Sequence, residues 1–367
     1  ETKHDTTMNA LFTLAGELSG GGSLSVTART RGIVAITNAD NSAWTGNLSF
    51  NGGEGGVRAE WPGSVPEPAK VLFSYGRLVT SFPNWSRSEI LGMANGATLQ
   101  NNATVSVDTS AAEDGTDFAL ASADVTSDAF GLGHEGTNAM NLVVSDAVAK
   151  PVALSSHNGT LRVTGAGALT LRETAATSDL NLGWGKIAFD GLAGGVTLAS
   201  GALRVGGSAR SNIVGNRGEV EIRNTTVSRT GGSGIIVGGW GPGLLRIGTG
   251  AAVTSPLTVA DGNWGRREGA VWQDGGEMNV TGSYCFLGTS GLAYYRLSGG
   301  TLTTDGGSYA IGYSGRAVFA QYGGQAVFDR DAKAYIYLGD AGAGNVYVQN
   351  GTLALPVRTY LQTGSSA

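Results

Sequence analysis

One cysteine, Cys285, and three histidines, His4, His134 and His157, stand in a chain of 367 residues. A lone thiol forms no internal disulfide, so the cross-linked framework of small secreted domains is excluded, and Cys285 reads as a small buried hydrophobe. The histidines sit in unlike contexts and give no support to a histidine metal site or a Ser-His-Asp arrangement. Charge is also scarce: 14% of residues are ionic and the net charge is −5, which argues against the basic footprint that nucleic acid requires. No apolar run approaches the ~20 residues of a membrane-spanning helix. Proline numbers only eight, and no Gly-X-Y period exists, so collagen is excluded. The glycine-rich stretches lead into no helical pattern, and phosphate-binding loops depend on one.

Glycine is abundant, at 61 residues, and the last 150 or so residues repeat. Apolar pairs two residues apart occur at Val220/Ile222, Leu245/Ile247, Val271/Gln273, Tyr295/Leu297, Phe319/Gln321 and Val346/Val348, their first members spaced 25, 26, 24, 24 and 27. Each pair is followed by a turn-forming step such as Asn224-Thr225, Gly275-Gly276, Gly299-Gly300, Gly323-Gly324 or Asn350-Gly351. Beyond that step lie Val227, Ala252, Met278, Leu302, Ala326 and Leu353. A third series runs Val214, Val237, Val259, Leu287, Ile311, Leu338. Alternation marks half-buried strands, and a repeat of this length is one unit that buries its apolar face only by stacking on its neighbours. The predicted fold is an all-β parallel β-helix, a β-solenoid with about three short strands per coil of roughly 22–28 residues. Register then places Cys285, Tyr309 and Ile336 in one inward stack. It also places Gln273 and Gln321 inside, where they must bond to turn backbone or to each other.

The rest of the chain divides by composition. Residues 1–53 read as N-terminal coils with a repeat-like motif, and 54–90 as a Pro- and aromatic-rich protruding loop or lateral excursion, the alternative being a loop folded over a solenoid edge with its aromatics covering the end coil. Residues 91–210 read as irregular, acidic coils, and 211–367 as the regular repeats. The second segment carries four of the prolines, Pro62, Pro66, Pro68 and Pro83, with Trp61, Tyr75, Trp85 and three arginines, Arg58, Arg77 and Arg87. Pro clusters interrupt strands. Residues 88–149 contain no Lys or Arg.

Two stretches carry a family resemblance. Gly16-Glu17-Leu18-Ser19-Gly20-Gly21-Gly22-Ser23-Leu24 is followed by Ile36-Thr37-Asn38-Ala39-Asp40-Asn41-Ser42-Ala43-Trp44-Thr45-Gly46-Asn47-Leu48-Ser49-Phe50-Asn51-Gly52-Gly53. Together they resemble the autotransporter-associated β-strand repeat of bacterial surface proteins, with Trp44 in place of the usual Tyr. The resemblance covers about 40 residues and implies a right-handed β-helix passenger, secreted and displayed at the bacterial cell surface. The family's translocating barrel has no counterpart here, since no C-terminal series of amphipathic membrane strands is visible.

Candidate sites follow from register and composition. If Cys285 and Tyr309 point inward, Tyr284, Phe286, Tyr335 and Tyr337 point outward as an aromatic binding or assembly surface. Trp61 and Trp85 are candidates for stacking on sugars or docking a partner. Glu113, Asp114 and Asp117 form the one candidate calcium site, by carboxylate and carbonyl oxygens. Asp329, Asp331 and Asp340 fall on adjacent turns where they could converge with Arg330 and Lys333, the pairing of carboxylates that glycoside chemistry needs. No signature of the pectin-degrading families accompanies them. The expected function is therefore structural or adhesive: an extracellular, non-enzymatic solenoid that self-associates or attaches to a glycan or cell-surface partner. The alternative is a β-helix that binds or cleaves polysaccharide.

Overall fold

A computed structural model describes residues 11–27, 32–51, 55–101, 103–157, 159–172, 180–181, 185–199, 203–206, 218–229, 234–238, 242–260, 268–282, 284–305, 308–328, 335–339 and 341–355. At 180, 181, 204, 284, 286, 305, 308, 335 and 336 it describes the backbone alone. Among the described residues the strand ladders are parallel, and each strand pairs with strands one coil away. That pattern is a β-solenoid. Paired residues lie 21 apart between Gly56 and Arg77, 24 apart between Tyr295 and Phe319, and 33 apart between Ile187 and Val220. Coil length therefore varies more widely than 22–28.

Four sheets form the walls. One runs from Leu11–Leu14 to Ala153–His157, and a second from Leu24–Val26 to Thr98–Leu99. The third is the long sheet, which begins at Thr116–Leu120 and continues through the regular repeats to Ala343–Val348 and Thr352–Ala354. The fourth runs from Leu180–Asn181 to Tyr335–Leu338.

The inward files match the sequence periodicity. Val220 faces Leu245, which faces Val271, and the file continues through Tyr295 and Phe319 to Val346. Cys285, Tyr309 and Ile336 are likewise in register. Cys285 is buried, and burial pushes its thiol up to about 12. Tyr295, Phe319, Phe328 and Tyr309 form a chain of ring contacts inside the coils, at 5.1–5.6 Å between centroids. Gln273 donates from Nε2 to the Thr301 carbonyl at 2.9 Å and accepts from the Tyr295 hydroxyl at 2.6 Å. Gln321 donates to the Thr352 carbonyl at 3.0 Å. The Nε2 of each buried amide is held by backbone carbonyls, and Gln321 Oε1 has no partner among the described residues.

The turn between the first two segments of each coil is a column of left-handed residues: Asn224, Gly250, Gly276, Gly300, Gly324 and Gly351, with φ between 46° and 98°. A Cβ on Gly300 would lie 2.1 Å from the Gly276 carbonyl oxygen. Glycine is required there both for backbone conformation and for close stacking. One register expectation fails. Val253, not Ala252, occupies the file between Val227 and Met278. The bend after Ile247 holds one extra residue, Ala251, whose amide turns back to the Gly248 carbonyl at 3.2 Å.

The Pro-rich segment is not a protrusion. Gly56–Ala59, Val71–Phe73 and Arg77–Ser81 take their places in the first two sheets, and the prolines open short 3-10 turns at Pro62–Ser64 and Pro68–Lys70. An α-helix, Arg87–Gly96, closes that side, with Ile90, Leu91, Met93 and Ala94 buried. Ser86 and Glu89 form its capping box, with the Ser86 amide donating to Glu89 Oε2 at 2.8 Å. Such a box satisfies two of the helix's orphan donors.

This segment also neutralises the acidic one. Arg77 donates from Nε to Glu135 at 2.6 Å, and Arg58 pairs with Asp108. Arg87 pairs with Asp124, and Lys150 reaches Asp128 at 3.0 Å. Asp108 and Glu135 are buried, where isolated charge is prohibitive. The strands they cross carry the small residues Thr104, Ser106, Gly131, Gly133 and Ser155 at outer positions, all buried.

Candidate binding face

The register that sends Val271 and Gln273 inward sends the residue between them outward. Repeated coil by coil, this gives an outer file of Glu221, Arg246, Trp272, Arg296, Ala320 and Tyr347 on the long sheet. Successive members are one coil apart, about 4.8 Å along the axis.

Their chemistry is coupled. The Arg246 guanidinium lies over the Trp272 ring, 4.3 Å from its centroid, and donates from Nε to Glu219 at 2.8 Å. Arg296 stands between two rings, 5.9 Å from Trp272 and 5.6 Å from Tyr322. Tyr322 packs on Tyr347 at 5.8 Å. Trp272, Arg246, Arg296 and Tyr294 are half-buried, while Tyr322 and Tyr347 are 40% and 50% exposed. Burial and then the Tyr322 hydroxyl push the Tyr294 phenol up, against the pull of Arg296.

The carboxylates toward the N-terminal end of this face are engaged. Glu219 meets Arg246 and Lys186, and Glu221 meets Lys186 and Arg223. Arg296 meets no carboxylate among the described residues. The face thus offers aromatic rings and a half-buried guanidinium with no carboxylate partner among the described residues, while Ala320 is covered, at 2% exposed.

The residues expected to form the site lie elsewhere. Tyr284 and Tyr335 flank Ser308, and Phe286 and Tyr337 flank Ala310, in the fourth sheet. Of these aromatics only Tyr337 has a described side chain, and it is half-buried. Ala310, between Phe286 and Tyr337, is itself buried. Trp61 is exposed, but Trp85 is 1% exposed and donates from Nε1 to the Ala59 carbonyl at 2.9 Å. Trp85 is a core residue, not a docking aromatic. Its burial follows from its place between the strand Arg77–Ser81 and the helix Arg87–Gly96, which make its segment part of the wall.

Glu113, Asp114 and Asp117 do not converge. Asp114 accepts from the Ala139 amide at 2.7 Å, Asp117 from Asn141 Nδ2 at 2.9 Å, and the Glu113 carbonyl holds Thr116. Among the described residues no group of three His, Cys, Asp or Glu side chains is arranged to hold a metal ion. Asp329, Arg330, Asp331, Lys333, Asp340 and Val214 lie outside the described residues.

His134 is inside the coil, with Nε2 3.0 Å from the Thr109 hydroxyl and Nδ1 3.4 Å from that of Ser156. Burial drives its pKa down to about 4, against the Asn138 backbone and Asp108. A neutral imidazole sealed between two hydroxyls has no approach for a substrate. The row acts as a polar rung of the core.

The outer file escaped the sequence reading, although its signal was present. It consists of the middle residues of the same apolar pairs that defined the core. In comparison with known proteins, the chain matches no family model, no curated protein and no solved structure.

Proposed function

We propose that this chain is an adhesive, non-enzymatic β-solenoid of a bacterial cell surface that attaches through the outer face of its long sheet. The observation that carries the reading is the file Arg246, Trp272, Arg296 with Tyr322 and Tyr347. These are aromatic and guanidinium groups that no interior packing requires, held on a stack of parallel strands. The resemblance of residues 16–53 to the autotransporter-associated repeat supports the extracellular setting. Contacts with flat, ring-bearing ligands favour such surfaces, since aromatic faces give area at little entropic cost.

The test is attachment under flow. Beads carrying the chain are passed over glycan-coated and cell-coated surfaces, beside beads carrying the Trp272→Ala/Tyr322→Ala double variant. The variant is expected to lower retention about fivefold, the scale of two lost aromatic contacts. Retention undiminished in the double variant overturns the reading.

End-to-end self-association is the second reading. Val346 and Val348 continue the inward files Phe319–Val346 and Gln321–Val348, yet are 38% and 43% exposed in the last described coil. Among the described residues this coil pairs on one side only, and a strand edge with exposed core positions is a template for another chain. Electron microscopy across a concentration range tests it: rods that lengthen with concentration support stacking, and rods of constant length contradict it.

A further inference from the structure

The lateral face points to a ligand of definite chemistry. We infer that Arg296 and the rings beside it bind a linear anionic polysaccharide, bearing carboxylate or sulfate groups and lying along the solenoid axis. The inference rests on the lateral-face reading above and names its ligand.

Charge is the first ground. Glu219 and Glu221 are committed to Lys186, Arg223 and Arg246. Arg296 is left without a carboxylate among the described residues, and its guanidinium is held in place by Trp272 and Tyr322. A planar fork fixed between two rings is pre-organised for bidentate contact with an oxyanion. Half-burial also spares it part of the desolvation cost that a fully solvated cation would meet on binding.

Shape is the second ground. Trp272, Arg296, Ala320 and Tyr347 occupy successive coils of one file. The advance per coil, about 4.8 Å, is close to the length of one pyranose residue. A sugar chain laid along the file meets the Trp272 ring, the Arg296 cation and, two coils further on, the Tyr347 ring. Ala320, one coil past Arg296, is covered, and exposed Tyr322 and Tyr347 offer apolar faces to sugar C–H groups. An acidic peptide would satisfy the cation but not this spacing, since an extended strand advances about 3.3 Å per residue.

Affinity electrophoresis of the full chain tests the inference. Gels contain polygalacturonate, its neutral methyl ester, dextran sulfate or poly-glutamate. Wild type is expected to be retarded by polygalacturonate, with weaker retardation at higher salt and by the methyl ester. Arg296→Gln is expected to weaken binding about tenfold, the scale of one charge-assisted contact, with unchanged circular dichroism. Equal retardation by dextran sulfate, with the same Arg296 dependence, identifies sulfate as an equivalent source of the anion and upholds the inference. Binding by dextran sulfate alone identifies sulfate as the anion. Retardation by the neutral ester as strong as by polygalacturonate, unaffected by Arg296→Gln, overturns the inference. Poly-glutamate binding as tight as polygalacturonate also overturns it. If no polymer binds but bead retention still depends on Trp272 and Tyr322, the anionic ligand is wrong and the adhesive face stands. If retention too is independent of those rings, both fall.

Discussion

Arg77 reaches across the neighbouring coil to Glu135, Nε to Oε2 at 2.6 Å, and both side chains are buried. The pair spans the strand Thr104–Asp108 and joins the Pro-rich segment to the acidic one. Removing one partner strands a buried charge. Glu135→Ala is expected to cost on the order of 3–5 kcal/mol in urea unfolding, whereas Arg77→Met/Glu135→Leu together cost much less. Additive losses in the double variant would contradict a paired role.

Stability should fall with pH through His134. Its folded pKa, about 4, lies below the ~6.5 of an unfolded histidine, so the unfolded chain binds a proton that the native coil refuses. The stabilisation is full above about pH 6.5 and is lost as pH falls toward 4, by on the order of 3 kcal/mol. Urea midpoints measured across that window should drop in wild type and flatten in His134→Gln. An unchanged slope in the variant would show that other groups carry it.

A second acid transition lies lower. Burial alone would raise the Asp108 carboxyl, but the hydroxyl and amide of Ser110 and the Arg58 guanidinium outweigh it, and its pKa is lowered. Its contribution is present above the unfolded value of about 3.9 and is lost as pH falls through the lower folded value. Asp108→Asn should destabilise the chain at neutral pH and remove that part of the acid limb, read by thermal unfolding between pH 2 and 6.

Gly300→Ala tests the turn column. The new Cβ would meet the Gly276 carbonyl at a residue with φ of 75°. A loss of roughly 1–3 kcal/mol is expected from backbone strain alone. Gly92→Ala, on the helix where nothing lies within 4 Å, should stabilise by about 1 kcal/mol. Similar effects at both sites would contradict the stacked-turn geometry.

The regular half was legible because its inward files are mostly apolar and keep one phase from coil to coil. Val271, Tyr295 and Phe319 differ in size but share a phase, and the Asn/Gly step marks each bend. The Ala252 error arose where one extra residue in a bend shifts the phase, which hydrophobicity alone does not reveal when Ala and Val are adjacent. The N-terminal half was harder. The middle strands of its first sheet are buried on both faces, so Arg77, Ser106 and Glu135 break the polar alternation that marks a half-exposed strand. The helix Arg87–Gly96 was announced by Ser86 and Glu89, but Gly92 and Gly96 weaken its pattern. Trp85 and Trp61, similar in the sequence, are separated only by which one finds a carbonyl inside. The outer file was readable all along: the residue between two inward positions must point out of the coil.

The central claim is that the outer face of the long sheet, rather than another surface, makes the contact. Hydroxyl-radical footprinting with and without polygalacturonate tests it most directly. The account predicts protection of Trp272, Tyr322 and Tyr347, with Trp61 and Tyr75 oxidised as in the free chain. Protection centred on Trp61 or on Tyr337, with Trp272 and Tyr322 unchanged, would contradict it.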